Sequence, residues 1–207
     1  MSEAYPLKPF RILSHDTLCE IMRTYSLATL ISGHAGKAKI TLLPLLIDRN
    51  DNDQIYLLGH LDPNNDHAQK LERGAPVSFQ FLGPDSYASP DLYAGSHLPG
   101  WLYVSVQGDG EVSDVLDDLQ LRKLLITSTD TYGDEQQRFS LSDTDKRIDN
   151  FLPGIKGFRI KVTRISGIGK LAQDKGQEDS RIAMEFLAKQ DNSDSLPLLE
   201  RILQETL

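Results

Sequence analysis

The residues best suited to chemistry gather between Pro84 and Tyr103. Tyr87, Tyr93, Trp101 and Tyr103 stand there beside the hydroxyls of Ser86, Ser89 and Ser96. Rings that stack or pack edge-on, next to hydroxyls that satisfy polar edges, suit a planar heteroaromatic ligand. The same composition suits a self-packed Ω-loop or a contact between subunits, since Tyr and Trp are enriched at interfaces. Composition leaves both readings open.

Other reactive residue types are scattered. His15, His34, His60, His67 and His97 show no metal-ligand spacing and no His-Glu-x-x-His motif. His60 and His67 lie seven residues apart, and Pro63 between them breaks any shared helical face. No metal site is expected. His60 reads as a satisfied histidine at a strand end or as a ligand-facing group. Cys19, the single cysteine, forms no internal disulfide or zinc site alone and reads as a small buried hydrophobe. No Gly-x-Ser-x-Gly elbow exists, and no residue is an obvious general base. Asp117-Asp118, Asp143 and Asp145 flank helix starts, where carboxylates cap and complement the helix dipole. Gly167-Ile168-Gly169-Lys170 lacks the third glycine of a phosphate loop and reads as an ordinary turn.

The elements that must position these residues are mostly strands. Ser14 to Thr24 reads as a helix capped by Ser14, with Leu18, Ile21, Met22 and Tyr25 as its apolar stripe. Ala28–Ser32, Ile40–Ile47, Gln54–Leu58 and Val77–Leu82 read as strands, with Pro44 marking a bulge or an edge. Asn65–Arg73 reads as a short helix and Gly83–Gly100 as a long loop. Leu102–Val115 alternates and is expected to bend at Gly108–Gly110; Gly157–Ile165 alternates again. Helices are expected at Asp117–Thr127, Asp143–Phe151, Glu178–Lys189 and Leu196–Leu203. Strand-helix alternation is absent, which excludes a doubly wound parallel sheet. The expected fold class is mainly β with added helices (α+β), an antiparallel sheet whose closure toward a barrel removes exposed edges. A single domain over 1–207 is expected, with an N-terminal helix and a helical extension over about 175–207.

The net charge of −8 disfavours direct nucleic-acid binding. No apolar run reaches the ~20 residues of a membrane helix, and Met1 to Arg11 carries no secretory h-region. A reducing, cytoplasmic setting follows as the simplest expectation.

A set of ordered strings resembles the PaiB-like branch of the FMN-binding split-barrel proteins. Gly83-Pro84-Asp85-Ser86-Tyr87-Ala88-Ser89-Pro90, Tyr93 and Pro99-Gly100-Trp101-Leu102-Tyr103 match that family's central segment. Leu27 to Ser32, Leu43 to Leu46 with Asp48, Gly59-His60 with Asn65, Gly157-Phe158 and Lys170-Leu171-Ala172-Gln173 match in the same order. The resemblance spans about Pro9 to Gln173. It implies a split β-barrel, a homodimer and FMN held by Thr29, Ser32, Thr41, His60, Tyr87, Ser89, Trp101 and Lys170. Some family members are described as transcriptional or protease-production regulators. Pro63 stands where the family carries Arg or Lys, so Lys37, Lys39 or Lys170 would have to meet the phosphate. Two alternatives stay open: a barrel that has lost flavin and regulates through protein contacts, and a flavin-dependent oxidoreductase.

Overall fold

The structure is a computed structural model that describes residues 6–34, 36–50, 52–133, 139–191 and 193–206. The chain divides into two compact units. Unit 1 takes Met1–Ser26, Gln80–Gly108 and Ile165–Leu207; unit 2 takes Leu27–Phe79 and Asp109–Arg164.

Eight strands form one sheet: β1 (Arg11–Ile12), β2 (Leu27–His34), β3 (Lys37–Pro44), β4 (Leu46–Arg49), β5 (Ile55–Leu61), β6 (Pro76–Ala88), β7 (Gly100–Val115) and β8 (Lys156–Lys170). Their order is β3-β2-β6-β7-β8-β5-β4, with β1 on β8. The β1–β8, β2–β3, β4–β5 and β5–β8 pairs are antiparallel. The helices are α1 (His15–Thr24), α2 (Asp118–Tyr132), α3 (Lys146–Phe151), α4 (Gln177–Gln190) and α5 (Leu196–Thr206).

In unit 2, alternation sorts β2 and β3 into two faces. Ala28, Leu30 and Leu43 are buried on one face, and Ser32, Lys39 and Thr41 continue that face at its polar end. The other face of β3 leaves Ile40 66% and Leu42 63% exposed, with Leu27 of β2 also exposed. β3 ends the sheet at Pro44, as the sequence suggested for an edge. Along β5, Ile55, Leu57 and Leu61 alternate inward with Gly59, where an added Cβ would lie 2.6 Å from Leu45 and 3.4 Å from Leu43. Phe79, Phe158 and Ile160 complete this core.

In unit 1, Ser14 caps α1 by accepting from the Thr17 N–H at 3.2 Å, as its position in the sequence suggested. Leu18, Cys19, Ile21 and Met22 are buried on α1. Helix α5 packs against α1, α4 and β1, burying Leu199 and Ile202.

Several elements differ from their sequence expectation. Asn65–Arg73 holds only a single 3₁₀ turn, Ala68–Lys70. The Asp62 and Asn65 side chains accept from the Asn64 and His67 backbone N–H groups, which offers the chain a turn in place of a helix. β6 runs on to Ala88, shortening the long loop, and β7, the expected long strand, begins two residues early at Gly100 and runs to Val115. Gly167-Ile168-Gly169-Lys170 belongs to β8 rather than to a turn. A Cβ on Gly167 would collide with Leu18, and one on Gly169 with Ile202, so these glycines admit helices against the strand. Helix α2 begins as expected, with Asp117 and Gln120 forming a reciprocal capping box, and runs five residues past Thr127 to Tyr132.

Candidate functional site

The polar end of the β2–β3 face in unit 2 carries hydrogen-bonding groups without protein partners. Thr41 Oγ1 lies 2.9 Å from His67 Nδ1, and Asn65 Nδ2 lies 3.5 Å from the same hydroxyl. The Thr41 hydroxyl thus joins His67 Nδ1 to the Asn65 carboxamide. His67 Nε2 is buried and has no hydrogen-bond partner, and neither has the buried Ser32 Oγ. Burial, and then the positive charge of Lys39, push the His67 pKa down, so the ring is neutral near pH 7. Lys39 brings a cation to this end, held 2.6 Å from the exposed carboxylate of Asp66. An unpartnered hydroxyl and an unpartnered imidazole nitrogen beside a cation fit a polar or anionic ligand. Thr29 pairs with Leu42 and projects from the opposite face of β2, away from Ser32 and Thr41.

His60 projects elsewhere in the same unit. It alternates with Gly59, so it points away from Leu43 and Leu45. Its directly paired neighbour is Gly157 of β8, where an added Cβ would lie 2.8 Å from Leu121 of α2. His60 therefore looks toward the layer of α2 and α3. There it lines a cleft of about 450 Å³ with Leu125, Leu141, Ile148 and Ile155. Phe139, Arg147, Asn150 and Phe151 also line it.

Unit 1 holds the aromatic group. Tyr87 and Trp101 meet edge-to-face with centroids 6.2 Å apart, and each ring is about half exposed. Trp101 Nε1 donates to Asp85 Oδ1 at 2.8 Å, which fixes the indole plane while leaving its face open. Ser89 does a structural task instead, accepting from the Asp91 N–H at the start of the 3₁₀ turn Pro90–Leu92. Tyr93 is buried and packs edge-on to His97, whose Nε2 lies 2.7 Å from Asp179 of α4. Lys170 ends β8, half-buried. The adjoining Gln173 is a structural hub: its side chain accepts from Leu171 N–H and donates to Gly169 O and Thr206 Oγ1. The structure thus brings Tyr87 to Trp101 in unit 1 and Ser32 toward Thr41 in unit 2, and separates Thr29 and His60 from the latter pair by face. Sequence reasoning missed His67; its place two residues after Asn65 was visible, but its burial was not.

Residues 4–164 match the family described as "Putative FMN-binding domain". This chain belongs to that family. The FMN-binding family member is 28% identical, over 95% of both chains, to the protease synthase and sporulation protein PAI 2 of Bacillus subtilis strain 168. Among solved structures it is similar to a conserved hypothetical protein from Mycobacterium tuberculosis (TM-score 0.58, 16% identity, 86% of this chain and 94% of that one). It is also similar to an FAD and heme binding protein from Mycobacterium smegmatis (TM-score 0.57, 16% identity, 90% of this chain and 78% of that one). At these identities the structural likeness establishes the fold, an antiparallel split barrel with added helices. FMN is the cofactor that family membership assigns to the chain. The orphaned Ser32 hydroxyl and His67 Nε2 are the groups by which the chain's own residues fit it. No helix among the described residues is long and apolar enough to cross a membrane.

Proposed function

We propose that this protein is a PaiB-type FMN-binding regulator that works as a homodimer in the cytoplasm. One observation carries the reading: the family match over residues 4–164, continued by the likeness to PAI 2 over nearly both whole chains. Ser32, Thr41 and His67 are the proposed hydrogen-bonding contacts of the flavin, and Lys39 its proposed cation. Thr29, Tyr87, Ser89, Trp101 and Lys170 remain proposed contacts on the resemblance alone. Bound FMN supplies electron-transfer chemistry; the chain's residues hold it, shield it and present it.

Support for the regulatory part is the name of the Bacillus subtilis relative, which ties that protein to protease synthesis and sporulation. The net charge of −8 favours regulation through protein partners over direct DNA contact. Support for the homodimer is the exposed apolar face of β3, where Ile40 and Leu42 stand open on the last strand of the sheet. The cytoplasmic setting is supported by cysteine usage: Cys19 is the only cysteine of the sequence, so no disulfide forms within the chain.

The test is the absorbance spectrum of freshly purified protein, followed by titration of FMN with its emission as readout and by the mass in solution. A flavin band, or quenching with a Kd below about 10 μM, is expected. Unquenched FMN at several times that concentration rejects the flavin reading, and a single-chain mass rejects the dimer.

A further inference from the structure

We propose that the cleft beneath α2 and α3 is a second binding site, for a small uncharged aromatic molecule held through His60, and that it works independently of flavin.

The position of the cleft sets it apart from the Ser32–Thr41–His67 group. Gly59 faces the core side of β5 against Leu43 and Leu45, and Thr41 shares the face of Leu43 on β3. His60 is on the reverse side, under α2, whose Leu121 rests on the paired Gly157. A volume of about 450 Å³ lies within the ~300–1,000 Å³ of small-molecule sites and is too small for a segment of protein.

The lining defines the ligand. Leu125, Leu141 and Ile155 give apolar walls. Phe139 and Phe151 are 52% and 66% exposed, so a ligand in the cleft would take large apolar surfaces out of water. Ring-on-ring contact adds to that for an aromatic guest. Among the described residues, His60 makes no hydrogen bond, although most of its surface is covered. Burial pushes its pKa down, which keeps the imidazole neutral, with one nitrogen donating and the other accepting. A neutral imidazole that no described residue engages, and that only solvent serves, favours one polar edge on the guest.

Charge among the described residues favours an uncharged guest over the flavin phosphate. Among the described residues, the one cation of the lining is Arg147, whose guanidinium meets the Asp145 carboxylate at 2.5, 2.9 and 3.2 Å and lies 4.9 Å from the Phe139 centroid. That charge is shared with a carboxylate through three contacts, so a phosphate or carboxylate entering the cleft would compete with Asp145 for it. A fused-ring molecule with one hydroxyl or ring N–H meets every requirement.

Saturation-transfer NMR on the full chain tests this with 2-naphthol and, as its charged counterpart, 2-naphthoate. The expected result is binding of 2-naphthol about tenfold tighter than 2-naphthoate. Leu125→Trp, which fills the cleft, should abolish the signal, and His60→Leu should weaken 2-naphthol about fivefold. Saturating FMN should leave it bound. Displacement by FMN, equal binding of 2-naphthoate, or a signal unchanged in both variants overturns the proposal. Should Leu125→Trp lose its cooperative thermal transition, His60→Leu and Phe151→Ala decide the matter. A protein that binds 2-naphthol and ignores FMN would reject the flavin reading while sustaining this one.

Discussion

The imidazole of His97 lies 2.7 Å from the carboxylate of Asp179, and the same carboxylate accepts the Ala94 N–H at 2.8 Å. Two bonds thereby tie the segment after Tyr93 to helix α4. Burial pushes the Asp179 pKa up, but the bonds from His97 and the Ala94 N–H outweigh it and hold the carboxyl below its ordinary range. Asp179→Ala leaves both donors without a partner. We expect a lower Tm and faster proteolytic cleavage between Tyr93 and Pro99, whereas Asp179→Asn retains part of the attachment. Limited proteolysis read by mass spectrometry checks this.

His60 and His67 both titrate below the free imidazole value of 6.5, chiefly because they are buried. The unfolded chain therefore takes up these protons first as the pH falls. Their contribution to stability is complete above about pH 6.5 and is lost as the pH drops from there toward their folded values. Urea unfolding at about pH 7.5, 6 and 5 should show a falling midpoint, and the fall should be shallower in His67→Gln.

Ser32 and Thr41 offer hydroxyls at the polar end of the β2–β3 face. Ser32→Ala or Thr41→Val should raise the Kd for FMN about tenfold each, near the ~1.4 kcal/mol of one lost hydrogen bond. Fluorimetric titration of FMN measures it, with Leu82→Gln, at an exposed position of β6, as the comparison.

Ile40 and Leu42 are open to solvent on the end strand. Ile40→Glu combined with Leu42→Glu should convert a dimer into monomers without lowering the unfolding midpoint of the isolated chain, since neither side chain is part of the core. Light scattering coupled to gel filtration reads the mass.

Gly169 touches Ile202 through its bare α-carbon. Gly169→Val should cost about 1–3 kcal/mol by overpacking and should loosen α5 first. Hydrogen exchange along Leu196–Thr206 would register that order of events.

Local signals were the legible ones. Ser14 and Asp117 cap the helices they precede because capping needs only residues three positions apart. The aromatic pairing of Tyr87 with Trp101 could be anticipated as a cluster because both belong to one short stretch of chain. Gly167 and Gly169 were misread as a turn because their partners, Leu18 and Ile202, are remote in sequence. His60 and Thr41 could be named but not sorted by face, since strand alternation becomes decisive only when register and neighbours are known. His67 escaped notice because its neutral state and its unpaired nitrogen are products of burial.

Trp101 is the chain's one tryptophan, anchored by its N–H to Asp85 with its ring half open to water. The protein thus carries its own optical label at a known address. A wavelength shift in the indole emission reports on the solvent around the Asp85–Tyr87 corner, so a visitor arriving there announces itself without a dye being attached.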